Sequence, residues 1–175
     1  MTMNEAAAAR CGPRVVFALM LHDLGKGLTP RAEWPQHVGH EEKGAPLVEA
    51  VCKRLRAPNA YRDLALKVCR LHLRTHRLLE MRPGSVMKLI EDADLLRRAD
   101  DLEDLLAACR ADYRGRLGLE QRPYPQAGRL RAALDAFLAV QARDIDTEGL
   151  DGVQIGARLR EARIAAIAGN ASPAD

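Results

Sequence analysis

The stretch Pro58-Asn59-Ala60-Tyr61-Arg62-Asp63-Leu64-Ala65-Leu66-Lys67-Val68-Cys69-Arg70-Leu71-His72-Leu73-Arg74-Thr75-His76 opens on a helix-start signal and then carries Leu64, Val68 and Leu71 three and four residues apart. That spacing puts apolar side chains on one face of an α-helix. His72 and His76, four apart, share a face of the same helix. Working outward, the pattern recurs. Upstream, an apolar run from Arg14 to Leu24 stops at Gly25 and Gly27, and a polar loop with Pro30 and Pro35 follows. His40 to Leu55 reads as a second helix, its first turn disturbed by Gly44 and Pro46. Downstream, Pro83-Gly84-Ser85 opens a helix carrying Val86, Leu89 and Ile90. Asp100 or Asp101 caps the next, with Leu102, Leu105 and Leu106 facing inward. A loop with Gly118, Pro123 and Pro125 then leads to two amphipathic helices, roughly Gly128 to Ala142 and Val153 to Ala168. The expected fold class is all-α, a bundle of six or more helices.

Composition agrees. Of 175 residues, 47% are hydrophobic but only 3% aromatic, so the core must be aliphatic, and a sandwich or barrel is close to excluded. With 27 basic and 24 acidic residues, the net charge of +3 argues for nucleic acid only if the charges cluster. Cys11, Cys52, Cys69 and Cys109 form no C-x-x-C pair, so neither a disulfide framework nor a zinc ribbon is expected. Cys52 and Cys69 sit among apolar neighbours, as small buried hydrophobes do. Val15 to Leu21 is far shorter than the ~18 residues of a membrane span. The first ten residues lack a signal-peptide layout. The expectation is a soluble, cytoplasmic protein with no membrane partner.

All five histidines (His22, His37, His40, His72 and His76) fall in the first 76 residues. His22-Asp23 closes an apolar helix, placing two potential metal ligands where packing is tight and water scarce. Adjacent helical residues diverge, yet both can reach one ion lodged at the helix end. Imidazole with carboxylate suits Mn, Fe, Ni or Zn better than Ca. The competing reading is a hydrogen-bonded structural pair. Lys26 follows on the glycine turn and offers a cation to a phosphate oxygen. In Ile90-Glu91-Asp92-Ala93-Asp94-Leu95-Leu96, an unpaired carboxylate among apolar residues would be costly. Glu91 and Asp92 read as a solvated face, and Asp94 as a ligand.

His22-Asp23, then Gly39-His40-Glu41-x-x-Gly44-Ala45, then His72, then Asp94 together resemble the HD superfamily of metal-dependent phosphohydrolases. Leu21-His22-Asp23-Leu24-Gly25-Lys26-Gly27-Leu28-Thr29-Pro30, Trp34-Pro35-x-His37-x-Gly39-His40, Ala111-Asp112-Tyr113-Arg114-Gly115-Arg116 and Arg163-Ile164-Ala165-Ala166 narrow the resemblance. It is to the C-terminal HD domain of bacterial multifunctional CCA proteins, tRNA nucleotidyltransferases that carry a phosphohydrolase domain. The resemblance runs from about Arg14 to Ala168.

It implies an HD-type helical bundle and divalent-metal-dependent hydrolysis of 2′,3′-cyclic nucleotides, 2′-nucleotides and other phosphomonoesters. The metal, Ni, Mn, Mg or similar, would be held by His22, Asp23 and Asp94, with Asp92 the competitor for the last role. Lys26, His40, His72 and His76 would steady the phosphate or protonate the leaving oxygen, which makes Asp23, Lys26, His40 and His72 the catalytic set. His37, in a loop beside Pro35, reads as solvated. Arg70, Arg74 and Arg77 share a helix with the two histidines as a phosphate-contact surface. Arg114 and Arg116 read as partners of nearby acids such as Asp112 and Glu120. No aromatic residue interleaves with these arginines, so no single-strand stacking platform is expected among them.

The implied partners are a nucleotide or other phosphate ester, tRNA in the full-length enzyme, and a second copy in a homodimer. Two departures accompany the resemblance. The nucleotidyltransferase head is missing, as in an excised domain. The upstream ligand histidine of HD proteins is missing too, and Asn4 to Arg10 reads as the stump of its helix. The expected divisions are a helix remnant at 1–13, a phosphohydrolase core at 14–116, a helical extension at 117–168 and a frayed tail at 169–175. The alternative function is a catalytically impaired helical module for tRNA binding or subunit assembly.

Overall fold

The computed structural model describes residues 1–170 of the chain, and every regular element in that range is helical. Eight α-helices follow one another: α1 (Thr2–Ala8), α2 (Pro13–Leu21), α3 (His40–Leu55), α4 (Asn59–His76), α5 (Pro83–Asp92), α6 (Asp101–Arg114), α7 (Gln126–Ala139) and α8 (Gly152–Gly169). Short 3₁₀ turns fill the connections at Leu24–Leu28, Arg31–Glu33, Leu78–Glu80 and Ala142–Asp144. The all-α expectation holds. From residue 171 on, the tail expected to fray lies outside the described residues.

The chain forms two compact units. Among the described residues, the first comprises 1–76 and 100–124, the second 77–99 and 125–170. They interleave along the sequence.

In the first unit α4 is the central element, packed against α2, α3 and α6, with α1 laid on α6 and α2. Its inner stripe is Leu64, Ala65, Val68, Cys69, Leu71, His72 and Thr75, all buried. The two histidines of α4 are thus not equivalent: His72 lies on the core stripe, and His76 at its margin. Asp100 occupies the N-cap position of α6 but makes no capping bond with its side chain. Asp101 instead turns inward, to Lys67 on α4 at 2.8 Å and Arg14 on α2 at 3.1 Å. Arg14 also binds Asp104. This ionic knot ties α2, α4 and α6 together with each charge answered.

Two glycines set how closely the 3₁₀ turn after α2 approaches α3. A Cβ on Gly25 would overlap the carbonyl oxygen of His40 and stand 2.7 Å from the backbone nitrogen of Gly44. A Cβ on Gly44 would meet the Cys69 sulfur at 3.0 Å. Only glycine permits this three-way approach of backbones, and it brings the residue before the turn, Asp23, against the first residue of α3, His40.

The second unit is simpler. α5 and α7 pack on one another, α8 packs on both, and the core is Leu78, Val86, Leu89, Ile90, Leu130, Leu134, Phe137 and Ile167. The Arg163 guanidinium lies 4.3 Å from the centre of the Phe137 ring, and Arg160 pairs with Glu91 at 3.0 Å.

Candidate metal centre

Four segments of the first unit deliver side chains to one place. His22 is the C-cap of α2 and Asp23 follows it into the 3₁₀ turn. His40 begins α3, and His72 sits in the last turns of α4. Asp112 lies near the end of α6. All but Asp23 are buried.

The three histidines are held alike. The Nδ1 of His22 donates to the Leu19 carbonyl at 2.7 Å, and that of His40 to the His37 carbonyl at 2.9 Å. The Nδ1 of His72 lies 3.1 Å from both the Val68 and Cys69 carbonyls. Carbonyl oxygens only accept, so each Nδ1 carries a proton and each Nε2 is the atom turned to the cluster. Asp23 stands among these Nε2 atoms. Its Oδ1 is 3.1 Å from that of His40 and 3.7 Å from that of His72, and its Oδ2 is 3.3 Å from that of His22. Lys26 donates to Oδ2 at 2.5 Å.

Asp112 approaches from the other side. Its Oδ1 lies 3.4 Å from His22 Nε2, while Oδ2 accepts from His76 Nε2 at 2.8 Å and from Arg116 at 2.9 Å. One oxygen is thereby tied down and the other faces the cluster. Behind His76, its Nδ1 is 3.0 Å from the buried hydroxyl of Tyr124.

Titration follows this crowding. Burial by itself would lower the pKa of His22, but Asp112 and Asp23 beside it push it up to about 10. Burial would raise the carboxyl of Asp23, yet His22 and Lys26 hold it far below the carboxylate range. Asp112 is likewise held far below it against its own burial, by His22, His76 and Arg116. Burial, joined by the positive charge on His22, drops His72 to about 4, so its ring is neutral near pH 7.

A divalent cation fits these residues. One ligand atom from each of His22, Asp23 and His72 lies within 4.8 Å of the other two, a combination repeated nowhere else among the described residues. His22 Nε2 and Asp23 Oδ1 are buried and make no hydrogen bond, although both have close ionic neighbours. Each such atom costs roughly 1–3 kcal/mol unless something answers it. Two imidazoles with one carboxylate suit a borderline first-row ion.

The residues singled out from sequence divide accordingly. The structure brings His22, Asp23, Lys26, His40 and His72 together, with His76 one contact behind through Asp112. The cluster of possible ligands among the described residues is His22, Asp23 and His72, without Asp94. Asp94 belongs to the second unit, follows the C-cap of α5 in the left-handed region at φ 51°, and is half-exposed against Arg97 at 2.9 Å. The carboxylate that seemed too costly to leave unpaired is paired at the surface. Asp92 binds Lys88 at 3.1 Å, as a solvated face would. Arg116 pairs with Asp112 as expected, whereas Arg114 donates to the Arg122 carbonyl. His37 offers its carbonyl to His40 and its ring to Trp34.

Two members of the cluster escaped sequence reasoning. Asp112 continues the buried stripe Leu105, Ala108 and Cys109 on α6, so a carboxylate at a core position was its signal. Tyr124 sits in a loop between two prolines, where no periodicity marks it.

A model of the HD domain matches residues 7–116. The chain is 49% identical over 167 residues to a Multifunctional CCA protein of Thioalkalivibrio sulfidiphilus, an alignment covering 95% of this chain and 41% of the relative. A Multifunctional CCA protein of Alkalilimnicola ehrlichii is 52% identical over 165 residues, 93% of this chain and 40% of that one. One from Hahella chejuensis is 41% identical over 167 residues, 95% and 40% respectively. The chain spans about two-fifths of the length of these relatives. No solved structure gives a significant match. No helix among the described residues is long and apolar enough to cross a membrane. The doublet, the helical frame and a family match over more than half the chain agree, and the chain belongs to the HD domain family of metal-dependent phosphohydrolase-type domains.

Proposed function

We propose that this domain hydrolyses 2′,3′-cyclic nucleotides, 2′-nucleotides and related phosphomonoesters with a divalent metal such as Mn, Ni or Mg. The observation that carries the reading is the shared orientation of His22, His40 and His72. Each spends Nδ1 on a backbone carbonyl and turns Nε2 towards Asp23. His22, Asp23 and His72 hold the cation, and Asp112 Oδ1 stands beside His22 as a further ligand. This set takes Asp112 in place of Asp94. A bound cation supplies Lewis-acid neutralisation of phosphoryl charge and lowers the pKa of an attacking water.

The chain's own residues do the rest. Neutral His72, with Nδ1 already donated, works as a ligand and not as an acid. Asp23 accepts from Lys26, which leaves the ammonium at the rim of the site, placed to meet a phosphate oxygen. His40, anchored through His37 by Nδ1, turns Nε2 to the site, and with a proton on that nitrogen it would pass it to the leaving oxygen. His76 and Arg116 orient Asp112. The names of the relatives support tRNA ends as the setting in which such esters are met.

The test is hydrolysis of 2′,3′-cyclic AMP with Mg, Mn, Ni or no added metal, in the wild type and in Asp23→Ala. Metal-dependent turnover that disappears in a folded Asp23→Ala supports the reading. A well-folded wild type that turns over no phosphate ester with any of these ions overturns it, and leaves the binding or assembly module as the function.

A further inference from the structure

Leu24 to Gly39 forms a loop rooted at the metal centre at both ends. Asp23 enters it and His40 leaves it, and these two side chains are 3.1 Å apart. Compact loops closed at their base are frequent carriers of function. This one holds the chain's single tryptophan. The indole N–H of Trp34 donates to the Thr29 carbonyl at 3.1 Å, across the loop, and Thr29 is itself buried. The ring is therefore fixed by its edge, yet the residue is 57% exposed. His37 lies 6.0 Å away at an interplanar angle of 47°, so it flanks the indole without stacking over it. The His37 carbonyl also orients His40. An exposed aromatic ring held by its edge thus touches His37, whose carbonyl orients His40 at the cluster.

Neither the core nor the ligand set explains that ring. An indole has a large apolar area that is normally buried, and here its one polar atom is satisfied internally while the residue stays more than half exposed. The chemistry that matches a flat, sequence-tolerant aromatic surface beside a phosphate site is a nucleobase. We infer that Trp34, flanked by His37, is the platform on which the base of a nucleotide ester stacks while its phosphate occupies the metal centre. This rests on the phosphohydrolase reading and adds a specificity to it: esters carrying a base are preferred over esters without one. Base–aromatic stacking is worth from about fivefold to about a hundredfold in affinity, and an exposed platform falls at the lower end, about tenfold.

Because there is one tryptophan, intrinsic fluorescence reports the platform directly. Titration of the full chain with 2′-AMP, with glycerol 2-phosphate as the base-free comparison, should quench Trp34 saturably with the nucleotide only. In kinetics, Trp34→Ala should raise KM for 2′-AMP about tenfold with kcat little changed, and leave KM for glycerol 2-phosphate where it was. Trp34→Phe, which keeps a ring but loses the bond to Thr29, should recover most of the loss, separating stacking from loop structure. Equal quenching by both esters, or equal loss on both substrates in Trp34→Ala, overturns the platform while sparing the hydrolase. Quenching by 2′-AMP in a chain that hydrolyses neither ester keeps the platform and overturns the hydrolase. Absence of quenching at saturating 2′-AMP overturns the platform whatever the activity.

Discussion

The two units handle polar groups in opposite ways. In the first, three histidines, two aspartates and two threonines are buried; in the second, no polar or charged residue among those described is. The second unit keeps its charges outside, as Arg160–Glu91, Lys88–Asp92 and Arg97–Asp94, around a core of Leu, Ile and Phe. Burial of polar groups has to be compensated, and the contrast accords with a candidate site in the first unit. A second contrast lies inside that unit. Asp101 and Asp112 are eleven residues apart on α6 and almost equally buried, at 5% and 7% exposure. Asp101 is fully answered by Lys67 and Arg14. Asp112 keeps one oxygen against a histidine nitrogen that makes no hydrogen bond. Burial marks both, but incomplete partnering marks only the second as a site.

The same substitution at both positions tests that distinction most sharply. Asp112→Asn should lower metal affinity and turnover by about a hundredfold or more, because the oxygen facing His22 loses its charge. Asp101→Asn should leave metal affinity, read by calorimetric titration with Mn or Ni, unchanged. It should instead destabilise the fold by about 3 kcal/mol in urea, since Lys67 is left buried with a neutral neighbour. If Asp101→Asn weakens metal binding as much as Asp112→Asn does, partnering is not what separates the two.

Gly25→Ala comes next. Its methyl would collide with backbone, not with a side chain that can swing away, so the turn must move off α3 and take Asp23 from His40. A loss of about 3 kcal/mol together with loss of hydrolysis is expected, and a variant that keeps its melting temperature would show that the approach is looser than described.

A smaller effect appears in the pH dependence of the metal-free protein. The folded pKa of Asp112 is depressed, so its contribution is complete above the unfolded value of about 4 and is lost as pH falls below it. The folded pKa of His22 is raised to about 10, so its contribution is complete below the unfolded value of about 6.5 and is lost as pH rises towards 10. His72 runs the other way: burial drops its folded pKa to about 4, so stability falls as pH drops from its unfolded value of about 6.5 towards 4. The cluster therefore stabilises most near about pH 6.5. In EDTA, thermal melts of Asp112→Asn should show a flattened acid limb and a shallower alkaline one, by about 2 kcal/mol at pH 6. Parallel profiles for variant and wild type would mean that the pairing contributes no stability.

Much of this was legible in advance, for reasons tied to particular residues. His40–Leu55 and Pro83–Asp92 open where the sequence puts them because glycine and proline punctuate their starts. His22-Asp23 stood out because a polar doublet interrupts an apolar run. Asp94 was harder to place because helical periodicity ends at Ala93. Beyond a helix end, apolar neighbours in sequence no longer say which way a side chain faces. Asp112 could have been read from the stripe it extends, but its two arginine neighbours offered a simpler partner. Tyr124 had no local signal: its place depends on a contact with His76, forty-eight residues away.

Tyr124 also supplies the finest test of how far the first unit's organisation extends behind its metal-facing atoms. Asp112 keeps its negative charge, so His76 must carry its proton on Nε2 to donate to it. In the tautomer with its proton on Nε2, His76 accepts at Nδ1 from Tyr124, whose hydroxyl burial holds in its protonated form. The phenol thus fixes the tautomer of His76, which fixes the carboxylate, which faces His22. Removing that donor in Tyr124→Phe keeps the ring packing against Tyr113, at 5.3 Å between centroids, and subtracts the hydrogen bond alone. Support at this remove should cost less than a direct outer partner of a ligand, up to about tenfold in metal affinity with the fold unchanged. Tyr113→Phe, which keeps the same ring contacts with His76 and Tyr124, is the control and should bind as the wild type does. If the two variants bind metal equally, the chain of orientation stops at His76, and Tyr124 belongs with the packing residues that make up the whole of the second unit's core.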